Sequence, residues 1–179
     1  MDIGANIGYY SFLALDHVGA TGAIYSFECN PEPLAAFKRS IELHRPHNLF
    51  LEQFAIWRDD GQIAFSCERE SGHSHIASSV EKGVAVVCRS LDSWVRERNL
   101  ERIDVIKIDV EGCELQVLEG AQEMLASHHP LIVCELDPSL TRRFGYEPSR
   151  LIQMLGGMGY QTETVVGALS PTIVARYGA

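Results

Sequence analysis

The sequence lacks any apolar run close to the roughly 20 residues that a membrane-spanning helix needs, so we expect no membrane segment. We also expect no signal peptide, because no such pattern opens the chain. Basic residues are few: 15 Lys and Arg stand against 24 Asp and Glu, for a formal net charge of −9. Nucleic acids and anionic membranes both require a basic face, so neither is an expected partner.

Disulfide and zinc patterns are missing as well. The cysteines number five, which is odd, and they include no Cys-x-x-Cys pair. We therefore predict reduced, mostly buried thiols in a cytoplasmic protein, and no metal site. The cysteines are Cys29, Cys67, Cys88, Cys113 and Cys134.

The residues that are present fit one globular domain. The 179 residues are 46% hydrophobic and 22% charged, which is ordinary for a folded chain with a sizeable core. Helical and strand patterns alternate, residues 114–127 form one amphipathic helix, and strands 160–166 and 171–177 close the chain as an antiparallel hairpin. This order predicts an α/β fold, a three-layer sandwich around a mostly parallel sheet. Residues 1–179 are taken as a single domain, with a hairpin and lid insertion at about 62–89.

A glycine-containing loop, Met1-Asp2-Ile-Gly4-Ala-Asn6-Ile-Gly8, precedes a predicted helix at 9–17. Gly4 and Gly8 allow close approach of a ligand to the main chain, and Asn6 is the expected helix cap. The free N–H groups of the helix start favour an anion, whereas Asp2 favours a cation. An amino-acid moiety, such as that of S-adenosylmethionine, satisfies both. The G-x-x-x-G spacing with a preceding acid differs from the dinucleotide fingerprint G-x-G-x-x-G.

Further cofactor contacts are predicted where the next strands end. Glu28 follows a strand at 23–27 and lies 20 residues after Gly8, a position that suits hydrogen bonds from ribose hydroxyls. Cys29 follows at the same edge. A third strand, 49–56, is expected to bring Gln53 and Ala55 to the adenine side, and Tyr9 completes the predicted cofactor set.

The run from Ile103 to Gly112 resembles a parallel strand that is apolar on both faces, except for Lys107. Alternation places Lys107 and Asp109 on one face. A buried lysine needs a partner, and the candidates are Asp109 and, if strand 130–136 lies alongside, Glu135. The alternative is an edge strand with a solvated lysine.

A polar stretch at 68–82 is the predicted substrate lid, because a loop of this length in a compact domain is often functional. It contains His73 and His75, which could act as a base or as metal ligands. A solvated loop histidine is the commoner case.

At these residues the chain resembles the FkbM family of S-adenosylmethionine-dependent methyltransferases, over roughly residues 2–137. The resemblance implies a class I, Rossmann-like methyltransferase fold and O-methylation of a small-molecule acceptor, a hydroxyl on a sugar, polyketide or other secondary metabolite. It implies cofactor binding by Asp2, Gly4, Asn6, Gly8 and Glu28, and it places Asp109 at the reacting centre. The matching motifs are Asp2-Ile-Gly-Ala-Asn-Ile-Gly8, Phe27-Glu-Cys-Asn-Pro31, Ser90-Leu-Asp92, Ile106-Lys-Ile-Asp-Val-Glu-Gly112, Glu119-Gly-Ala121 and the strand 130–135.

The sequence departs from the family pattern in two places. Cys29 stands where the pattern usually has proline. Only Met1 precedes Asp2, whereas the family has a full hydrophobic strand there, so the first strand is expected to be truncated. The expected explanations are an upstream start, a fragment, or another segment in the gap. An incomplete sheet could also recruit a strand from a second copy, which is a reason to expect a homodimer.

Three functions follow from these observations. An O-methyltransferase would position a hydroxyl behind the activated methyl group and remove its proton, with Asp109, Glu111 or His73 as base and Lys107 beside them. A module that binds S-adenosylmethionine without chemistry is favoured by the short first strand. A nicotinamide-dependent oxidoreductase is disfavoured by Asp2 and the loop spacing. Asp109 and Glu135 offer oxygen donors that Mg²⁺ accepts, but two carboxylates hardly define a metal site.

Overall fold

The computed structural model describes residues 1–67, 74–76, 84–165 and 170–178. Its strands are β1 (Asp2–Ile3), β2 (Ile24–Phe27), β3 (Leu49–Glu52), β4 (Ala55–Ile56), β5 (Gly61–Cys67), β6 (Ser74–Ile76), β7 (Val84–Arg89), β8 (Val105–Ile108), β9 (Leu131–Glu135), β10 (Tyr160–Val165) and β11 (Thr172–Tyr177). Its helices are α1 (Tyr9–Val18), α2 (Pro31–His44), α3 (Leu91–Glu97), α4 (Glu114–Glu119), α5 (Gln122–His128), α6 (Pro138–Thr141) and α7 (Pro148–Gly157). A 3₁₀ turn, Arg142–Phe144, follows α6.

The main sheet confirms the predicted α/β fold. Within the described ranges it has seven strands in the order β10-β11-β9-β8-β1-β2-β3. The five strands from β9 to β3 pair in parallel, whereas β11 is antiparallel to both β9 and β10. The chain moves outward from β1 to β3 and then returns to β8, so the strand order switches between β1 and β8. Ligands of such sheets bind at that switch, outside the carboxyl ends of the strands.

Strand β1 has only two residues, but it lies at the centre of the sheet. Asp2 is in register with Ser26 of β2 and with Lys107 of β8. The carbonyl oxygens of Met1 and Ile3 accept hydrogen bonds from the amides of Lys107 and Asp109, at 2.9 and 3.0 Å. The described part of the chain therefore places this short strand itself, and no other segment, between β2 and β8.

The predicted single strand at 49–56 is wrong, because β3 and β4 belong to different sheets. Within the described residues the second sheet has the order β4-β7-β5-β6. Between β3 and β4, Phe54 packs edge-on against Phe27 of the core, with ring centroids 5.8 Å apart, and this turns the chain out of the main sheet. Strands β5 and β7 form the predicted antiparallel pair. Of the predicted lid, His73 lies outside the described residues and His75 is in β6.

The predicted helix 114–127 is also wrong, since it divides into α4 and α5. A Cβ on Gly120, between them, would lie 2.2 Å from the carbonyl oxygen of Trp57, so the chain passes too close for a side chain. The carboxylate of Asp92 then accepts hydrogen bonds from the amides of Glu123 and Met124, at 3.1 and 2.8 Å. These two bonds cap α5 and stabilise the break.

Two apolar clusters cover the two faces of the main sheet, which gives three layers. The larger contains Phe27, Trp94, Ile106 and Leu118, and the smaller contains Phe37 and Leu49 beneath α1 and α2. No disulfide bond joins the cysteines whose side chains the structure describes, and three of these are buried: Cys88, Cys113 and Cys134. None of the helices in the described ranges has the length and apolarity to cross a membrane.

Candidate cofactor and active site

A row of polar side chains crosses the main sheet beneath α1. The register places Ser26, Asp2 and Lys107 side by side on one face. From α1, the Ser11 hydroxyl donates a hydrogen bond to Asp2 Oδ2 at 2.5 Å and lies 2.7 Å from the Ser26 hydroxyl. Asp2 is 4% exposed. The predicted binder of an ammonium group is thus buried and already bonded to the chain's own residues.

Lys107 joins Asp2 to Asp109. Its Nζ lies 3.3 Å from Asp2 Oδ1 and 3.2 Å from Asp109 Oδ2, and it donates a longer bond to the Gly4 carbonyl at 3.4 Å. Burial by itself would lower the pKa of Lys107, but the carboxylates of Asp2 and Asp109 outweigh burial and raise this pKa above its ordinary value.

The predicted Asp109 partner of Lys107 is confirmed. The structure pairs Lys107 with Asp2 rather than with Glu135, and the edge-strand alternative is wrong because β8 lies between β1 and β9. Sequence reasoning missed Asp2 as a partner because the contact depends on the register between β1 and β8. Alternation along one strand does not reveal that register.

The loop between β1 and α1 has left-handed backbone conformations at Gly4, Asn6 and Gly8, with φ of 75°, 52° and 86°. Asn6 is not the helix cap, because the N-cap of α1 is Gly8, which has no side chain with which to cap the helix. The backbone N–H of Asn6 donates to Glu28 Oε2 at 2.8 Å. Tyr9 is exposed at the first position of α1. The open helix start therefore faces the carboxyl edge of the sheet.

The glycines of this loop also allow close packing within the chain. A Cβ on Gly4 would lie 1.8 Å from the carbonyl oxygen of Asp109, and one on Gly8 would lie 2.3 Å from the ring of Phe37. Distances below 3.0 Å force a neighbour to move. The absence of a side chain at Gly4 thereby allows the loop to pack against Asp109, the residue that follows β8.

Glu28 lies directly after β2, as predicted, and its carboxylate organises the neighbouring backbone. Its Oε2 accepts a hydrogen bond from the backbone N–H of Asn6, and its Oε1 accepts one from the backbone N–H of Asn30 at 2.7 Å. Burial raises the pKa of Glu28, and the hydrogen bonds from Asn30, Asn6 and Cys29 oppose that rise. Each carboxylate oxygen retains acceptor capacity for a further donor.

The two residues predicted for the adenine side separate in the structure. Gln53 follows β3 at the carboxyl edge, where its Oε1 accepts from Lys38 Nζ at 2.8 Å. Ala55 is buried in β4 and belongs to the second sheet. Only Gln53 of this pair therefore lies at the end of a main-sheet strand.

Two acidic side chains meet where β8 and β9 end. The register of β8 and β9 places Asp109 beside Glu135. Burial, and after it the neighbouring Asp109 carboxyl group, raises the pKa of Glu135 to about 7, whereas Ser170 opposes this rise. Glu111 adds negative charge from the loop after Asp109. This edge of the sheet is acidic and suits a ligand with a cationic group.

Glu114 is a buried residue that sequence reasoning missed. Its Oε1 accepts from the amides of Val110 and Gly112 at 3.2 and 3.0 Å, and its Oε2 accepts from the Tyr146 hydroxyl at 3.1 Å. Burial raises the pKa of Glu114 against these bonds. The carboxylate thus fixes the turn that follows Asp109. An acid at the first position of a helix was the available signal, but it did not reveal burial.

No metal centre emerges in the described ranges. There, no three His, Cys, Asp or Glu side chains are grouped closely enough to hold a metal ion. The Asp109 carboxylate instead pairs with Lys107.

Comparison with known families gives one match over most of the chain. The sequence pattern described as the methyltransferase FkbM domain matches residues 2–162. Three curated relatives are "Methyltransferase 1" of Beauveria bassiana, hexuronic acid methyltransferase AglP of Haloferax volcanii, and 2-O-methyltransferase NoeI of Sinorhizobium fredii. Their identities to this chain are 27%, 25% and 28%, over 69%, 74% and 70% of it. The chain spans 58%, 53% and 58% of their lengths.

Solved structures share the fold. A methyltransferase FkbM from Methylobacillus flagellatus superposes with a TM-score of 0.66 at 15% identity, over 98% of this chain and 42% of that one. Fibrillarin from Aeropyrum pernix, solved with natively bound S-adenosylmethionine, gives a TM-score of 0.58 at 14% identity, over 98% of this chain and 64% of that one. At such low identity these likenesses show the class I methyltransferase fold alone.

Proposed function

Because the chain belongs to the FkbM methyltransferase family, we propose that it transfers a methyl group from S-adenosylmethionine to a hydroxyl oxygen of a small molecule. A sugar is the proposed acceptor class, since two of the relatives are named hexuronic acid methyltransferase and 2-O-methyltransferase. The observation that carries the proposal is the convergence of the loop at 4–8, Glu28 and Asp109 at the switch between β1 and β8.

The residues at this edge fit S-adenosylmethionine by their chemistry. The uncapped start of α1 suits the carboxylate of the ligand. Glu28 has acceptor capacity for the ribose hydroxyls, and the acidic end of β8 suits its cationic groups. The proposed contacts are Asp2, Gly4, Asn6, Gly8, Tyr9, Glu28, Cys29, Gln53 and Asp109. Asp2 would act through Ser11 and Lys107, since it is buried beneath them.

When bound, the cofactor supplies a methyl group that its sulfonium has already activated. The chain then has to hold the acceptor oxygen in line with that group and to accept the hydroxyl proton. Asp109 lies at the proposed reacting centre, and Lys107 fixes one of its oxygens. We propose that a carboxylate at this edge of the sheet, where Asp109 and Glu111 lie, takes part in removing the proton.

We expect S-adenosylhomocysteine to bind the wild-type chain and to bind Glu28→Gln at least tenfold more weakly, a loss of about 1.4 kcal/mol. In the variant, a neutral side-chain amide replaces the carboxylate that accepts hydrogen bonds from the backbone N–H groups of Asn6 and Asn30. The loop is then held less firmly, and the proposed ribose contact is weakened. Titration calorimetry measures the affinity. Glu42→Gln, on the exposed part of α2, is the matched control. Tighter binding of NAD than of S-adenosylhomocysteine would contradict the proposal.

Asp109→Asn should lower kcat about 100-fold, the lower range for proton-transfer chemistry, and this loss should exceed any loss of S-adenosylhomocysteine affinity. The neutral amide holds Lys107 less strongly and removes a negative charge from the reacting centre. Transfer of a labelled methyl group to glucuronic acid and to a panel of sugars measures this change. Asp104→Asn, exposed just before β8, is the control. Unchanged turnover in Asp109→Asn would remove Asp109 from the reacting centre. Cofactor binding by the wild type without transfer to any acceptor would favour the binding module.

A further inference from the structure

Asp109 and Glu135 lie side by side at the carboxyl edge of the sheet. Ile108, the last residue of β8, is in register with Cys134 of β9. Asp109 therefore follows β8 opposite Glu135, the last residue of β9, and the two residues share one face. On its other side, Glu135 pairs with Thr172 of β11. The backbone of Glu135 is therefore fixed by neighbours on both sides.

Two neighbouring carboxyl groups repel each other when both are ionised, so one of them takes up a proton at a higher pH than the other. The Lys107 ammonium lies 3.2 Å from Asp109 Oδ2 and pairs with Asp109 rather than with Glu135. Of the two, Glu135 is therefore the group that takes up the proton first. The other groups that act on Glu135 are Glu111, from the loop after β8, and Ser170, just before β11.

The environment of Glu135 matches the needs of a general base. Burial, together with Asp109, brings the pKa of Glu135 to about 7, near the pH at which a base can both accept and release a proton. Glu135 is only half-buried, so its carboxyl group can exchange protons with solvent. Asp109 differs, since the Lys107 ammonium lies 3.2 Å from its Oδ2 and occupies that oxygen.

We propose that Glu135 removes the proton from the acceptor hydroxyl and that Asp109, held by Lys107, positions Glu135. This inference rests on the proposed methyltransferase function. The acceptor O–H bond breaks, and an oxygen electron pair forms the bond to the methyl carbon. The electron pair of the broken carbon–sulfur bond stays on sulfur. The proton joins the Glu135 carboxylate, is shared with Asp109, and then leaves to solvent.

The titration of Glu135 can be followed without any acceptor. In protein labelled with [δ-¹³C]glutamate, the Glu135 carboxyl signal is assigned by its loss in Glu135→Gln. We expect a midpoint near pH 7 in the wild type, and a fall of about one pH unit in Asp109→Asn, since a neighbouring negative charge is removed. Glu163→Gln, exposed on β10, should leave the midpoint unchanged. A titration midpoint at the ordinary glutamate value of about 4.3, or a midpoint that Asp109→Asn does not change, would overturn the proposal.

The transfer assay tests the catalytic step. With glucuronic acid as the probe acceptor, Glu135→Gln should lower kcat 100- to 10,000-fold, remove its rise through pH 7, and leave S-adenosylhomocysteine affinity intact. If Glu135→Gln transfers methyl groups at the wild-type rate, Glu135 is not the base, although the proposed function stands. If the wild type transfers to no acceptor in the sugar panel, the proposed function fails and the base role fails with it.

Discussion

Gly4→Ala will destabilise the protein far more than Gly145→Ala, although both glycines have nearly the same φ, 75° and 76°. At Gly145 a Cβ would meet no atom of the described residues within 4 Å, so the left-handed conformation is the main penalty, about 1–2 kcal/mol. At Gly4 the Cβ would lie 1.8 Å from the carbonyl oxygen of Asp109 and 2.8 Å from its carbon. Both atoms are backbone, so β1 or the end of β8 must shift, and we expect a loss of more than about 4 kcal/mol.

Urea unfolding followed by circular dichroism measures this difference, and Gly145→Ala provides the value for the backbone conformation alone. A second readout locates the damage: Gly4→Ala should also lose affinity for S-adenosylhomocysteine, because the loop and Asp109 move together. Equal midpoints for the two variants would show that the loop does not contact the end of β8 as closely as described.

The sequence predicted the fold well because its main determinants are local. Parallel strands that are buried on both faces appear as short apolar runs, and the runs that form β2 and β9 were identified within one residue at each end. The strand predicted at 103–112 contains β8 but extends beyond it at both ends. The acids Glu28 and Asp109 follow such runs directly. Because the carboxyl ends of parallel strands share one edge, their approach to a common site followed from order alone.

The predictions failed where contacts between distant segments decide the outcome. Asp92 stabilises the break between α4 and α5 from 31 residues away, and no periodicity within 114–127 reveals it. Asn6 is a residue type that often caps helices, but the N-cap of α1 is Gly8, and the backbone N–H of Asn6 donates to Glu28. Phe54 turns its strand out of the main sheet because the core offers a place beside Phe27. In each case tertiary contacts override local propensity.

The same distinction explains what was found and missed within the candidate site. Single acids at strand ends are visible in the sequence, whereas their pairings are not. The bonds of Asp2 to Ser11 and Lys107 depend on strand register and on where α1 lies. The proximity of Asp109 to Glu135 depends on β9 lying beside β8 in a particular register. These contacts influence the charge of the site, and the sequence alone does not reveal them.

Lys107→Met is the second substitution with a large expected effect on stability, about 3 kcal/mol, the lower range for removing one partner of a buried ion pair. Asp2 Oδ1 is buried and has no hydrogen bond among the described residues, so the ammonium 3.3 Å away is what compensates its charge. Without Lys107, the buried Asp2 carboxylate and the nearby Asp109 carboxylate also repel each other. The free energy of unfolding in urea measures the loss.

Two comparisons separate the buried charge from lost packing. Arg102→Met removes a cation from an exposed pair with Asp104 and should cost at most about 1 kcal/mol. The double variant Asp2→Asn, Lys107→Met should be more stable than Lys107→Met alone, because it removes the charge that was left unpaired. If the double variant is instead less stable by the sum of the two single losses, Asp2 and Lys107 act independently. The polar row beneath α1 would then not be a coupled network, and Lys107 would hold Asp109 without help from Asp2.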